Sequence, residues 1–271
     1  MASRAMTAWW PRPLVAAVDS LDRRGGAVAV RLVKYTGKSR EPIHPKHLVE
    51  APWHHWYLDY LQASDVVLDV GCANGAHTLA AAARARRVIG MDADVTQLRI
   101  AAAGARRGRV ANVQLLGWDV TTAFPFPAAA FDAVLFLDVI EHLEPRVAVL
   151  REIRRVLKSD GRLLLSAPHR DTSWRRRLRA AGLFAFSDVD HKTEYSRDDL
   201  LAELAAGGFV PVEPLMPVVY DTPMAGLIDV VGGLALGPYA RLVRWKRAAA
   251  LRHPQESIGF RVVARPAVDG A

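Results

Sequence analysis

The stretch VVLDVGCANG, Val66 to Gly75, constrains this chain more than any other part of it. An apolar run of strand length enters a tight glycine turn, and the alanine-rich segment behind the turn favours helix. Strand, glycine loop and helix in that order bring a ligand close to bare backbone at a helix N-terminus. Such a strand is buried on both faces, so it needs parallel neighbours and crossover helices around it.

The sequence supplies them. Short apolar runs predict strands at Val66–Val70, Arg87–Met91, Val113–Leu116, Ala133–Leu137 and Arg162–Ala167. Between them Thr78–Arg84, Val95–Ala103 and Arg146–Leu157 read as helices. Farther on, Arg197–Ala206 is an amphipathic helix with Ser196 as its N-cap and Asp198 and Asp199 in its first turn, stopped by Gly207–Gly208. Strands are expected at Phe209–Glu213 and Ile258–Ala264, with Gly232–Gly233 dividing an apolar from a basic part of the segment between them. The expected organisation is an N-terminal extension or cap over 1–63, a core over 64–214, an insertion or lid over 215–255, and a final strand and tail over 256–271.

Composition excludes several classes. At 271 residues, half of them apolar, the chain is neither disordered nor in need of covalent staples. Its one cysteine, Cys72, permits no intramolecular disulfide and no multi-cysteine zinc site. The opening MASRAMTAWWPRPLVAAVDS is broken by Pro11, Arg12 and Pro13, unlike a secretory leader. No run reaches the ~20 apolar residues of a membrane span; the longest candidate, Met224 to Leu236, is glycine-rich and carries Asp229. These features predict a soluble, cytoplasmic protein. The net charge of +8 is unevenly spread, with residues 1–50 holding nine Lys/Arg against four Asp/Glu. Two further basic clusters are Arg170, Arg175, Arg176, Arg177 and Arg179, and Arg241, Arg244, Lys246, Arg247 and Arg252.

Successive strand ends carry polar groups suited to one nucleoside ligand. Asp69 closes the first strand, Asp92 the second in GMD, Asp119 follows the third in GWD, and LDVIEHL follows the fourth. An acidic side chain at the second strand end can accept hydrogen bonds from ribose hydroxyls. A nicotinamide site wants Gly-x-Gly-x-x-Gly, where this chain has Gly71, Ala73 and Ala76. A phosphate-binding P-loop is excluded because no Lys-Ser/Thr follows the glycines.

With these motifs the sequence resembles the class I, S-adenosylmethionine-dependent methyltransferases, in particular the small-molecule, ubiquinone-biosynthesis-like branch. VLDVGCANG is similar to motif I, IGMD to the acidic second strand end, GWD to the adenine-side motif and FDAVLFLDVIEHL to the fourth-strand motif. LREIRRVLKSDGRLLLSAPH is similar to the helix and fifth strand that follow, and Ala73 stands where the middle glycine is usual. The resemblance covers roughly Pro52 to Phe209. It implies a Rossmann-like, seven-stranded, mostly parallel sheet with helices on both faces, an N-terminal helical cap and an insertion before the last strand. It also implies S-adenosyl-L-methionine as cofactor. Asp69 and the loop Gly71, Cys72, Ala73, Asn74 and Gly75 would hold its amino-acid end. Asp92 with Ala93 would hold the ribose, Trp118 and Asp119 the adenine side, and Leu137 and Asp138 the methionine portion.

Methyl transfer to a hydroxyl calls for a base, and His142 is the leading candidate because its ordinary pKa lies near neutrality. His191 and Tyr195, in DVDHKTEYS, are candidates for the acceptor pocket. Asp138, Glu141 and His142 share one face if their segment is an α-helix, and with His169 or His191 would make a divalent-cation site. The arrangement resembles that of some ubiquinone-pathway and small-RNA methyltransferases, with aspartate in place of their first glutamate; the expected set of site residues contains no metal. The histidines and aromatics of IHPKHL and PWHHWYLDYL either cover the substrate or pack a helix, and YARLVRWKRAAALR presents either a solvated face, a lid, a membrane-surface contact or an RNA-facing patch.

The function expected is methylation of a small molecule at oxygen. The alternatives are an RNA methyltransferase, favoured by the charge but lacking an Asn/Asp-Pro-Pro-aromatic motif, and a non-catalytic cofactor-binding protein. Nucleic acid is therefore the second-ranked partner after a small methyl acceptor, and the oligomeric state is open.

Overall fold

A computed structural model describes residues 10–40, 42–49 and 52–268. Met1–Trp9, part of the opening segment considered above, lies outside the described residues, as does the side chain of Trp53. The chain forms two compact units, each assembled from separate stretches. A sheet unit consists of Ala51–His169, Asp188–Pro217 and Gly259–Ala271; a helical unit consists of Met1–Glu50, Arg170–Ser187 and Val218–Ile258.

In the sheet unit the strands are β1 (Val66–Val70), β2 (Arg87–Asp92), β3 (Val113–Gly117), β4 (Phe131–Leu137), β5 (Leu157–Pro168), β6 (Phe209–Pro211), β7 (Met216–Pro217) and β8 (Gly259–Pro266). They pair in the order β3-β2-β1-β4-β5-β8-β6, with β7 also on β8. The first five are mutually parallel and β8 runs antiparallel to β5, β6 and β7. Eight strands thus stand where seven were expected; the addition is the two-residue β7, too short to leave a periodic signal. Helices α2 (Ala76–Ala82), α3 (Val95–Gly108), α4 (Arg146–Val156) and α6 (Arg197–Ala206) accompany the sheet.

Sequence chemistry explains these elements. Val67, Leu68 and Val70 of β1 and Val134, Leu135 and Phe136 of β4 are fully buried, so the middles of both runs are apolar. Asp94 caps α3 by accepting from Thr96 N (2.7 Å) and Gln97 N (3.2 Å). Ser196 caps α6, as the sequence predicted, and forms with Asp199 a reciprocal capping box, while Gly208 at φ +80° takes the left-handed turn that ends the helix. The chain order reverses at β1, whose neighbours are β2 on one side and β4 on the other. Ligands of such sheets bind at the carboxyl ends of the strands beside that point.

The helical unit contains α1 (Arg12–Tyr35), α5 (Ser173–Ala180), α7 (Ala225–Leu234) and α8 (Leu236–Arg252). Gly232 and Gly233, expected to divide the 215–255 segment, instead lie inside α7; the break falls at Ala235, in extended backbone. They are glycines because α7 is close-packed: a Cβ on Gly233 would sit 2.7 Å from Leu32 Cβ and 2.9 Å from the Ala29 carbonyl oxygen. Buried polar groups tie the helices together. Asp229 accepts from Tyr239 Oη (3.0 Å) and lies 3.0 Å from His44 Nε2, while Thr172 Oγ1 donates to Asp221 (2.5 Å). Lys246, in the basic run of α8, is not part of a solvated face: burial depresses its ammonium pKa, with Asp229, Asp221 and Asp22 opposing that shift. Among the described residues no helix is long and apolar enough to cross a membrane.

Candidate cofactor and methyl-acceptor site

The loop after β1 is held in left-handed turns. Gly71 (φ +74°), Ala73 (φ +44°) and Gly75 (φ +76°) all adopt positive φ. Space forbids a side chain at two of them: a Cβ on Gly71 would meet Val139 Cγ2 at 2.6 Å, and one on Gly75 would meet Ala101 Cβ at 2.6 Å. Ala73 adopts the same hand with a Cβ, in an exposed position. Gly71 N and Cys72 N donate to the Met91 carbonyl, which splices the loop to the end of β2. Asn74 Oδ1 accepts from Ala76 N at 3.2 Å.

Asp92 braces this loop, its carboxylate accepting from Ala73 N and Asp94 N at 2.8 Å each. A carboxylate has about four acceptor positions, so two N–H bonds leave capacity for ribose hydroxyls. Ala93 beside it is exposed. Trp118 N donates to the Asp92 carbonyl at 3.0 Å, which links β3's end to the same place. The buried Trp118 Nε1, just beyond the end of β3, has no hydrogen-bond partner. Asp119 is exposed and accepts from Thr121 N and Oγ1, bonds that hold its carboxyl below the usual range.

Asp69 is 2% exposed and accepts from Thr78 Oγ1 at 2.6 Å. Burial pushes its carboxyl up to about 6, with Thr78 pulling the other way and Asp92 adding to the rise. Cys72 is also buried, and burial pushes its thiol up to about 12, so it is a packing residue rather than a nucleophile. The sequence reading missed Thr78, which orients Asp69, and His77, whose Nδ1 lies 3.0 Å from the Tyr57 hydroxyl. Their only signal was position in the first turn behind a glycine loop.

At the end of β4 the geometry differs from expectation. Leu137 is half-buried, and Asp138 takes φ +53°, fixed by a hydrogen bond from Ser166 Oγ (2.9 Å) to its Oδ1. Ile140–His142 then form a 3-10 turn, not an α-helix, so Asp138 does not share a face with Glu141 and His142. The group that does assemble is Glu141, His142 and His191, whose ligand atoms lie within 4.8 Å of one another, a spacing able to hold a divalent cation. His169, considered as a fourth member, is buried against Phe260 instead.

This group is built by backbone. Lys192 N and Thr193 N donate to the Glu141 carbonyl, docking the loop before α6 onto the turn after β4. His191 Nδ1 lies 2.9 Å from Glu194 Oε1, and the His142 ring packs edge-on against His191 with centroids 4.7 Å apart. His191 is 9% exposed at its side chain whereas His142 is exposed, so His142 reaches solvent and His191 supports it. Glu141 is buried with Oε2 lacking a hydrogen-bond partner; burial, with Asp138 and Glu194 nearby, pushes its carboxyl up to about 8. Tyr195 does not join them: it is 2% exposed in the main core, its N–H bonded to the Pro168 carbonyl, and it ties the loop to β5. Glu194 had not been singled out from sequence, since a lone acidic residue three positions after a histidine carries no distinctive pattern.

The residues fit S-adenosylmethionine: glycine turns open to a close approach, carboxylates at Asp69, Asp92 and Asp138 for a cation with an amine and two ribose hydroxyls, and an orphaned indole donor at Trp118. Comparison with known proteins agrees. The methyltransferase domain family matches residues 68–165. A probable S-adenosylmethionine-dependent methyltransferase of Mycobacterium tuberculosis is 34% identical over 146 residues, 54% of this chain and 49% of that one. A demethylmenaquinone methyltransferase of Tropheryma whipplei is 35% identical over 104 residues, 38% of this chain and 41% of its own. These alignments span about half or less of each relative's length. A solved SAM-dependent methyltransferase of Methanosarcina mazei covers 81% of this chain and 99% of its own with a TM-score of 0.56 and 18% identity, a likeness of fold. Residues 68–165 match the methyltransferase domain family, and there the chain is similar to S-adenosylmethionine-dependent methyltransferases.

Proposed function

We propose that the protein transfers the methyl group of S-adenosylmethionine to an oxygen of a small-molecule acceptor. The observation that carries the reading is the adjacency of two groups: the glycine loop with Asp69 at the end of β1, and the Glu141–His142–His191–Glu194 group beyond the end of β4. β1 and β4 are neighbours in register, with Asp69 opposite Leu135, so the two strand ends open side by side. The T. whipplei relative, named for a quinone-type acceptor, supports a small molecule.

The bound cofactor supplies an activated methyl group. The chain's own residues do the rest. Asp69 and the Gly71–Gly75 loop would hold the amino-acid end, Asp92 the ribose, and Leu137 and Asp138 would border the methionine portion. His142 takes the acceptor's hydroxyl proton, and the His191–Glu194 pair fixes the surface against which His142 packs. Proximity and base assistance are what a displacement at methyl requires.

Isothermal titration tests the cofactor, and methyl transfer from labelled cofactor to hydroxylated small molecules tests the reaction. Asp92→Ala is expected to weaken cofactor binding strongly; unchanged binding would remove the assignment. Total RNA serves as the competing acceptor, and labelling of RNA alone would replace the small-molecule reading. Activity is expected to persist in chelator. Loss there would move the role from His142 as base to a cation held by Glu141, His142 and His191.

A further inference from the structure

In the helical unit α1 and α7 lie side by side at glycine contact distance. A Cβ on Gly25 would be 2.7 Å from Gly226 C, and one on Gly233 would be 2.7 Å from Leu32 Cβ. Gly226 N donates to Asp22 Oδ1 at 2.6 Å. The contacts advance together along both chains, from 25 with 226 to 29 and 32 with 233, so the helices run in the same direction.

Each helix leaves an apolar line uncovered. On α1 it is Leu14, Leu21, Val28 and Tyr35, a strict seven-residue repeat; on α7 it is Leu227 and Leu234, with half-buried Val230 and Val231 between them. Leu21 and Leu234 are each 58% exposed and Tyr35 is 89% exposed. Leu21 and Val28 are turned roughly 40–60° from the Gly25 contact in one sense, and Leu227 and Leu234 roughly 100° from Gly226 and Gly233 in the other. Contact faces of parallel helices oppose one another, so opposite rotations place both lines on the same side of the pair. The result is one two-helix apolar face, edged on α1 by exposed Arg24 and Arg31.

The charge of this unit selects what covers that face. By sequence it holds 19 Lys and Arg against 8 Asp and Glu, a net of +11, while the sheet unit is at −3. A second copy would bring two such charges together. A coiled-coil partner needs a second apolar row on α1, but Arg24 and Arg31 stand at the positions that row would use. Apolar side chains contribute nothing to phosphate contacts with nucleic acid, whereas leucine and valine with an aromatic residue and flanking arginines suit the interface of an anionic bilayer. We propose that the α1–α7 face docks the protein peripherally on membranes rich in anionic lipid.

The test is cosedimentation of the full chain with vesicles of phosphatidylcholine alone or with about one third phosphatidylglycerol, at low and high salt. Retention by the anionic vesicles only, weakened by salt, is expected. Leu21→Ser with Leu234→Ser should weaken partitioning at least tenfold at unchanged net charge, with thermal unfolding verifying the fold; Val28→Ser with Leu227→Ser reads the same face should the first pair unfold. Failure to bind anionic vesicles overturns the proposal, as does binding indifferent to both serine pairs. A wild-type dimer made monomeric by the serine pair would assign the face to a second copy, and RNA binding weakened equally by that pair would assign it to nucleic acid. Either result overturns the membrane assignment.

Discussion

Replacing Asp69 by asparagine should stabilise the cofactor-free protein while weakening its hold on the cofactor. The carboxyl is fully buried and its pKa is pushed up to about 6 from 3.8. A raised acid pKa means that the folded state binds more protons than the unfolded state between those values. No stability is lost to Asp69 below about pH 4, the loss grows as pH rises through 4 to 6, and above 6 it is complete. A shift of this size corresponds to about 3 kcal/mol at pH 8 and about half of that at pH 5. The amide oxygen of the asparagine would still accept from Thr78 Oγ1, so that hydrogen bond is kept while the buried charge is removed. Chemical denaturation of the cofactor-free protein and Asp69→Asn from pH 5 to 8 should therefore give curves that diverge with pH, the variant higher. The cofactor amine would neutralise the carboxylate, so wild-type affinity should tighten about tenfold between pH 5 and 7, with a far flatter profile in the variant. Parallel stability curves, or a variant less stable at pH 8, would refute the claim that Asp69 carries an uncompensated buried charge.

Other positions make shorter predictions. Ala73→Gly relieves a left-handed alanine and should raise stability by at most about 1 kcal/mol, read as a small increase in Tm; a decrease would show that the alanine is unstrained. Gly75→Ala combines positive φ with a 2.6 Å approach to Ala101 Cβ, and should cost roughly 2–4 kcal/mol in denaturant titrations. Glu194→Gln keeps the shape of the loop but loses the charge on His191, and should lower kcat about tenfold with the cofactor KM unchanged; an equal change in both would make the residue purely structural. His142→Ala should lower kcat at least about a hundredfold if the acceptor is a hydroxyl, and unaltered turnover across pH would remove it as the base.

The sheet was legible because its strands are buried on both faces and therefore written as short apolar runs. Val66–Val70 and Arg197–Ala206 agree with the structure residue for residue. The cofactor loop was legible for a related reason, since bare backbone in a left-handed turn asks for glycine at Gly71 and Gly75. The group proposed here for the acceptor was not. Its assembly depends on Lys192 and Thr193 donating to the carbonyl of Glu141, and backbone bonds between distant segments leave no residue pattern. The expected helical spacing of Asp138, Glu141 and His142 failed at a specific point, because Asp138 enters a left-handed turn and the segment tightens to a 3-10 geometry.

Gly232 and Gly233 show why the helical unit was the harder half to read. Local propensity treats a glycine pair as a helix breaker, at a cost of about 1 kcal/mol each relative to alanine. In α7 that cost is offset by contacts that no side chain would permit, Gly233 against Leu32 and Ala29 of α1 and Gly232 against Pro45 and Tyr239, and Gly25 in the middle of α1 is held as closely against Gly226. Gly25 and Gly233 are explained only by the opposite helix, across some 200 residues of intervening chain. Close packing has a further consequence. With glycines on the inner line, the two backbones approach so nearly that the large apolar residues are displaced to the flank, where Leu21, Val28, Leu227 and Leu234 stand uncovered. The close glycine packing of α7 on α1 is thus what creates an apolar surface on the most positively charged part of the protein.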